Sequence, residues 1–142
     1  MSHVTIRAAG TPDAAAVSAL LCEFNGEGLS PQALTRRMGE VGDLETAFVG
    51  AWDDLAAGVL VLRTAPTLSG PDDWAEITEM YVRPSFRRRG IGRALVEAAV
   101  AHGRERGCRE LHLLVDPQNV EAQAFYRALG LELDSWEMKR EL

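Results

Sequence analysis

The chain has 142 residues, 46% of them apolar and 25% charged, with a formal net charge of −6. That length suits one compact domain, expected over 1–142, that buries roughly two-thirds of its unfolded surface and needs no disulfide or metal staple. The acidic balance argues against nucleic acid as the main partner, and no apolar run approaches the ~20 residues that span a bilayer, so no membrane association is expected.

The N-terminal residues run straight into a strand-like pattern without a signal-peptide core, so a cytoplasmic protein is expected. Cys22 and Cys108 are far apart in apolar stretches and read as buried, reduced thiols. His3, His102 and His112 have no metal-ligand spacing, and no metal is expected.

In chain order, Val4 to Arg7 forms a short strand. Thr11 before Pro12 and Asp13 marks a helix start, with Thr11 as N-cap; Val17, Leu20, Leu21 and Phe24 give the helix its apolar stripe, and Asn25-Gly26 stops it. A second helix begins near Ser30-Pro31, carries Leu34 and Met38, and ends around residues 39–42. Strand patterns at 47–52 and 57–63 are joined by Asp53-Asp54, hairpin fashion. Residues 64–73 form a loop with two prolines, and 74–82 a strand stopped by Pro84. A strong helix follows over 91–106, closed by Gly107. Residues 111–115 are almost unbroken apolar sequence, which predicts a central strand buried on both faces. A helix over 119–129, closed by Gly130, and one or two strands within 131–142 complete a β-α-α-β-β-β-α-β-α-β order, a mixed α/β domain.

The charges are uneven. Five arginines fall between Arg83 and Arg93, while acids gather at Asp53-Asp54, Asp72-Asp73 and Glu76/Glu79. Strand, Pro84, the run Arg87-Arg88-Arg89-Gly90-Ile91-Gly92 and the helix follow one another without a gap. A helix N-terminus leaves about four N–H groups unpaired and carries roughly half a positive charge, and glycines let a ligand approach the backbone. The run is therefore a candidate anion site suited to a diphosphate. A Rossmann fingerprint does not fit, because Leu95 holds the third glycine position. A Walker A loop does not fit either, because Arg93-Ala94 replaces Lys-Ser/Thr. A solvated basic patch remains open on these residues alone.

A second motif, Asn119-Val-Glu-Ala122-Gln-Ala-Phe125-Tyr126-Arg-Ala-Leu129-Gly130-Leu131, decides between them. With Val82-x-Pro84 and Arg87-x-x-Gly90-x-Gly92, it resembles the Gcn5-related N-acetyltransferase (GNAT) family; Leu131 stands where that family commonly has Phe. The resemblance implies a mixed, mostly antiparallel sheet with a V-shaped splay between two central parallel strands and about four flanking helices. It implies transfer of an acetyl group from acetyl-CoA to a primary amine, in a ternary complex, without a metal. An inactive acyl-CoA-binding regulatory domain is the alternative.

By that resemblance, backbone groups of Met80, Tyr81 and Val82 in a bulged strand pair with pantetheine. Arg87, Arg88, Arg89, Gly90, Ile91, Gly92 and Arg93 hold the pyrophosphate, chiefly through N–H groups. Asn119 bonds the pantetheine arm or caps its own helix. Tyr126 is the general acid for the departing thiolate, with a packed core tyrosine as its other reading. Glu79 is the first candidate general base and Glu76 the second; surface ion pairing is the alternative for both. In a regular strand the two would face opposite ways. His112 reads as a core or CoA-adjacent residue. Phe24, Glu27, Trp52, Asp53, Trp74 and Trp136, with Asp72-Asp73, offer an acidic and aromatic acceptor pocket that suits a cationic amine. Proteins of this family are often dimers, though no residue here requires a homodimer.

Overall fold

A computed structural model describes residues 3–142. Strand β1 (Val4–Ala8) leads through a short 3-10 turn into α1 (Ala14–Asn25) and α2 (Pro31–Val41). Strands β2 (Glu45–Trp52), β3 (Leu55–Ala65) and β4 (Trp74–Val82) follow, then α3 (Ile91–Glu105), β5 (Leu111–Leu113) and α4 (Val120–Ala128). The five strands lie in the order β1-β2-β3-β4-β5. The first four pair antiparallel, and the sheet holds one parallel pair. One compact unit ends at His112, and a second runs from Leu113 to Leu142.

Local chemistry explains most element ends. Gly26 stops α1 in the left-handed conformation, and the Ser30 hydroxyl accepts from Ala33 N at 3.2 Å to cap α2. Asp53 and Asp54 both take positive φ, 47° and 67°, as the tight two-residue β2–β3 hairpin requires.

In the first unit the sheet buries both faces. Val49 and Val59 pack with Val17 and Leu20 of α1, and Tyr81 lies against this cluster. On the opposite face Leu60 and Leu62 are fully buried, as are Ile91 and Leu95 of α3. Gly50 pairs with Gly58 across β2 and β3 beneath the start of α3. A Cβ at Gly50 would stand 2.7 Å from Ile91 Cγ2, and one at Gly58 would stand 3.3 Å from Leu95 Cδ1. Two side-chain-free positions thus let the helix start sit directly on the sheet.

Four expectations need correction. Thr11 is not the cap of α1: it lies in the 3-10 turn Thr11–Asp13, where the Asp13 carboxylate reaches back to Gly10 N at 3.0 Å. Strand β5 ends at Leu113 and is last in the sheet order, with Leu114 62% exposed; its apolar run measures hydrophobicity and not the number of neighbours. Residues 131–142 form no strand, and Leu133, Trp136 and Met138 are exposed. A strand exists only through hydrogen bonds to a neighbour, and local alternation cannot supply one. Finally, Cys22 and Cys108 are free but only half-buried.

Candidate active site

The geometry of β4 decides where the carboxylates point. Val61 pairs with Glu79, but the next residue, Leu62, pairs with Ile77, so Thr78 is an extra residue on β4. Such a bulge resets the alternation of side chains. Glu76 stands opposite Arg63, and Glu79 opposite Val61, two residues apart on β3. Both carboxylates therefore share one face with Tyr81, the face that carries α1. The expectation of opposite faces held only for a regular strand.

Around Glu79 the C-terminal end of α1 closes in. Asn25 Nδ2 donates to Glu79 Oε2 at 3.4 Å, the Phe24 and Tyr81 rings stack at 5.5 Å, and Tyr81 OH donates to Glu23 at 3.4 Å. The Arg83 guanidinium clamps the same Glu23 at 2.7–3.1 Å and also donates to Ala56 O at 2.8 Å. The Arg83 hydrogen bonds hold the Glu23 carboxyl below its ordinary pKa. Further along β4, Trp74 Nε1 donates to Glu76 Oε2 at 3.2 Å, and the Trp74 indole stacks on His112 at 3.8 Å and 7°. His112 is thus a partly exposed stacking partner rather than a core residue. At Glu79, acid, amide and aromatic groups meet the negative end of α1, an environment that favours a cation.

At the other end of β4 lies the arginine turn. Arg88 takes φ 62° and Gly90 φ 83° immediately before α3. Left-handed residues of this kind gather successive N–H groups into an anion-binding concavity. A Cβ at Gly90 would meet nothing within 4 Å, so the space above the turn is open. Arg87 Nε donates to Val82 O at 3.1 Å, and Arg93 pairs with Glu97 at 3.1 Å. The Arg89 guanidinium lies 4.8 Å from the Trp52 ring centre and 5.5 Å from that of Phe86. Arg88 is the one arginine of the five whose side chain has no partner among the described residues. Ile91 is buried against the sheet, so only its backbone faces the turn.

The second unit carries α4. Asn119 Oδ1 accepts from Ala122 N at 3.0 Å, so Asn119 caps its own helix and keeps its amide donors for other use. Tyr126 packs edge-to-face on Phe125 at 5.1 Å, and burial holds its phenol above the ordinary pKa. Trp136 is 93% exposed.

Three residues outside the sequence expectation enter this picture. Asn25 reads in sequence only as a helix stop, yet it bonds Glu79. Glu23 and Arg83 tie α1 to the end of β4, which spacing 60 residues apart does not announce. Trp52 and Asp53, expected at the acceptor pocket, lie on the hairpin beside the arginine turn. Among the described residues no group of three or more His, Cys, Asp or Glu is arranged to hold a metal, and no helix is long and apolar enough to cross a membrane.

The sequence model of the Acetyltransferase (GNAT) family matches residues 15–131. The chain belongs to the GNAT acetyltransferase family. Its relatives include an uncharacterised N-acetyltransferase of Methanocaldococcus jannaschii, 47% identical over 58 residues, covering 41% of this chain and 26% of that protein. Aminoglycoside N(6')-acetyltransferase type 1 of Salmonella typhimurium is 40% identical over 53 residues, 37% of each chain. The chain thus spans between about a quarter and a little over a third of these two GNAT relatives. Among solved structures, a transcriptional regulator from Bacillus halodurans superposes with a TM-score of 0.86 at 26% identity, covering 99% of this chain and 100% of that one. The aminoglycoside acetyltransferase AAC(6')-Iy, solved with a bisubstrate CoA-acetylneamine analogue, gives 0.84 at 25% identity over 99% of each chain.

Proposed function

We propose that residues 1–142 form a single N-acetyltransferase domain that moves an acetyl group from acetyl-CoA to a primary amine by direct attack. The observation that carries this reading is the turn before α3. Left-handed backbone at Arg88 and Gly90, open space above Gly90 and an Arg88 side chain without a partner among the described residues suit a diphosphate. The family match runs from 15 to 131 across both compact units, which supports one catalytic domain. The CoA complexes of GNAT neighbours support the cosubstrate.

In this mechanism N–H groups from Arg88 to Arg93 hold the pyrophosphate. Stacking of His112 on Trp74 puts β5 beside the first residues of β4. The later residues Met80, Tyr81 and Val82 then offer their backbone to pantetheine, and one N–H polarises the acetyl carbonyl. Asn119 lends its free amide donors to the pantetheine arm. The amine lone pair forms the new C–N bond as the C–S bond breaks. The ammonium proton passes through water to Glu79, and Tyr126 gives its proton to the thiolate. Burial of Tyr126 favours the neutral phenol, the form that can donate.

Glu79 and Phe24, at the C-terminal end of α1, suit a cationic acceptor, with Glu76 and Trp74 nearer the start of the same strand. The two free cysteines fit a reducing, cytoplasmic setting. An acyl-CoA-binding regulatory domain is the second reading, favoured by the regulator among the structural neighbours. The deciding experiment pairs a CoA titration with CoA-release assays on polyamines, aminoglycosides, amino acids, peptides, and neutral and anionic amines. Turnover with cationic amines supports the enzyme, and binding without turnover on any amine supports the regulator. Turnover confined to neutral or anionic amines would remove the cationic acceptor.

A further inference from the structure

The arginine turn rests on an element far from it in sequence. Trp52 closes β2, and its ring stands 4.8 Å from the Arg89 guanidinium, with the Phe86 ring at 5.5 Å. Trp52 is itself held. The His3 ring stacks on it at 4.8 Å and 23°, His3 Nδ1 lies 2.7 Å from Asp53 Oδ1, and Asp53 N donates to His3 O at 3.0 Å. The hairpin turn is further fixed by the left-handed Asp53 and Asp54. His3 and Arg89 therefore both pack on Trp52, which links the residue before β1 to the turn.

The turn needs such a support. Arg88 has a Cβ and yet holds φ 62°, a conformation that non-glycine residues keep only where their surroundings impose it. Its two neighbours are both anchored: Arg87 by Nε to Val82 O at 3.1 Å, and Arg89 between the two rings. Backbone between two fixed side chains has little freedom left.

We propose that Trp52 is a positioning residue for the pyrophosphate turn, acting through Arg89 to hold Arg88 and Gly90 in their anion-binding conformation. The proposal rests on the reading of the turn as a CoA site but is tested partly without CoA. It gives Trp52 no contact with the acceptor amine and makes the β2–β3 hairpin part of the cosubstrate machinery.

The first test is limited trypsin digestion of the unliganded protein, with cut sites located by mass spectrometry. Trp52→Ala is expected to speed cleavage after Arg87, Arg88 or Arg89 at least fivefold, with other sites unchanged, while Trp52→Phe, which keeps a π-face, stays close to wild type. The second is calorimetric CoA titration with acetyl-CoA kinetics. Trp52→Ala is expected to weaken CoA and raise its KM about five- to thirtyfold, the range of an exposed to partly desolvated cation–π contact. The kcat and the KM for amine should hold. Should Trp52→Ala fail to fold, Arg89→Met removes the other half of the contact; the Arg89 cut site is lost with it, and at least fivefold faster cleavage after Arg87 or Arg88 is expected. Unchanged cleavage at the turn in a folded variant overturns the proposal. Wild-type protein that binds no CoA would instead remove the CoA reading, and the digestion would still decide the role of Trp52.

Discussion

At the scale of single residues, the turn and the carboxylates divide the work. Gly90 sits at φ 83° with open space where a Cβ would go, so a side chain there is opposed by backbone conformation alone. Gly90→Val should therefore weaken CoA binding tenfold or more, since a β-branched residue is a true outlier in this region. Arg88→Glu should cost less in the proposed site, where N–H groups make the closest contacts; a calorimetric titration that reversed the ranking would make the side chains primary. Tyr126→Phe and Glu79→Gln should each lower kcat about a hundred- to ten-thousandfold with the CoA dissociation constant unchanged. Because burial raises the Tyr126 phenol, its loss as a donor should begin only above its ordinary value of about 10. A kcat–pH profile falling through neutrality in wild type but not in Tyr126→Phe would contradict that role.

At the scale of elements, the seat of α3 is the point of leverage. Gly50 and Gly58 face each other under Ile91 and Leu95, and the helix start that offers N–H groups to an anion rests on them. In Gly50→Ala the new methyl would meet Ile91 Cγ2 at 2.7 Å, so the helix start must lift. We expect a loss of about 1–3 kcal/mol in stability together with weaker CoA binding. Denaturant melts and titration check both, and a variant as stable as wild type would show that α3 is free to shift. The bulge at Thr78 is the second element-scale device. It turns Glu76 and Glu79 onto one face, which strict alternation along 74–82 would forbid.

At the scale of the whole molecule, ligand and fold are linked. A ligand that binds only the folded chain stabilises it by about 2.7 kcal/mol at a hundredfold excess over its dissociation constant. Thermal melts with saturating CoA should therefore rise by several degrees, and no rise at millimolar CoA would remove the CoA reading. The family match across 15–131 also covers both the turn and the Asn119 to Gly130 motif.

The sequence by itself determined what local chemistry determines. Caps, glycine stops and periodicity located α2, α3, α4 and β4 within a residue or two, because Ser30-Pro31, Gly107, Gly130 and Pro84 act on their immediate neighbours. It also marked the arginine turn, since a strand, glycines and a helix start are contiguous. What only the tertiary structure decided depends on partners distant in the chain. Strand pairing set the Thr78 bulge and hence the side on which Glu76 lies. The absence of a hydrogen-bonding neighbour left 131–142 without a strand despite its alternating pattern. The contact of Trp52 with Arg89 belongs here too, because the two lie 37 residues apart, and contacts of that separation leave no local trace.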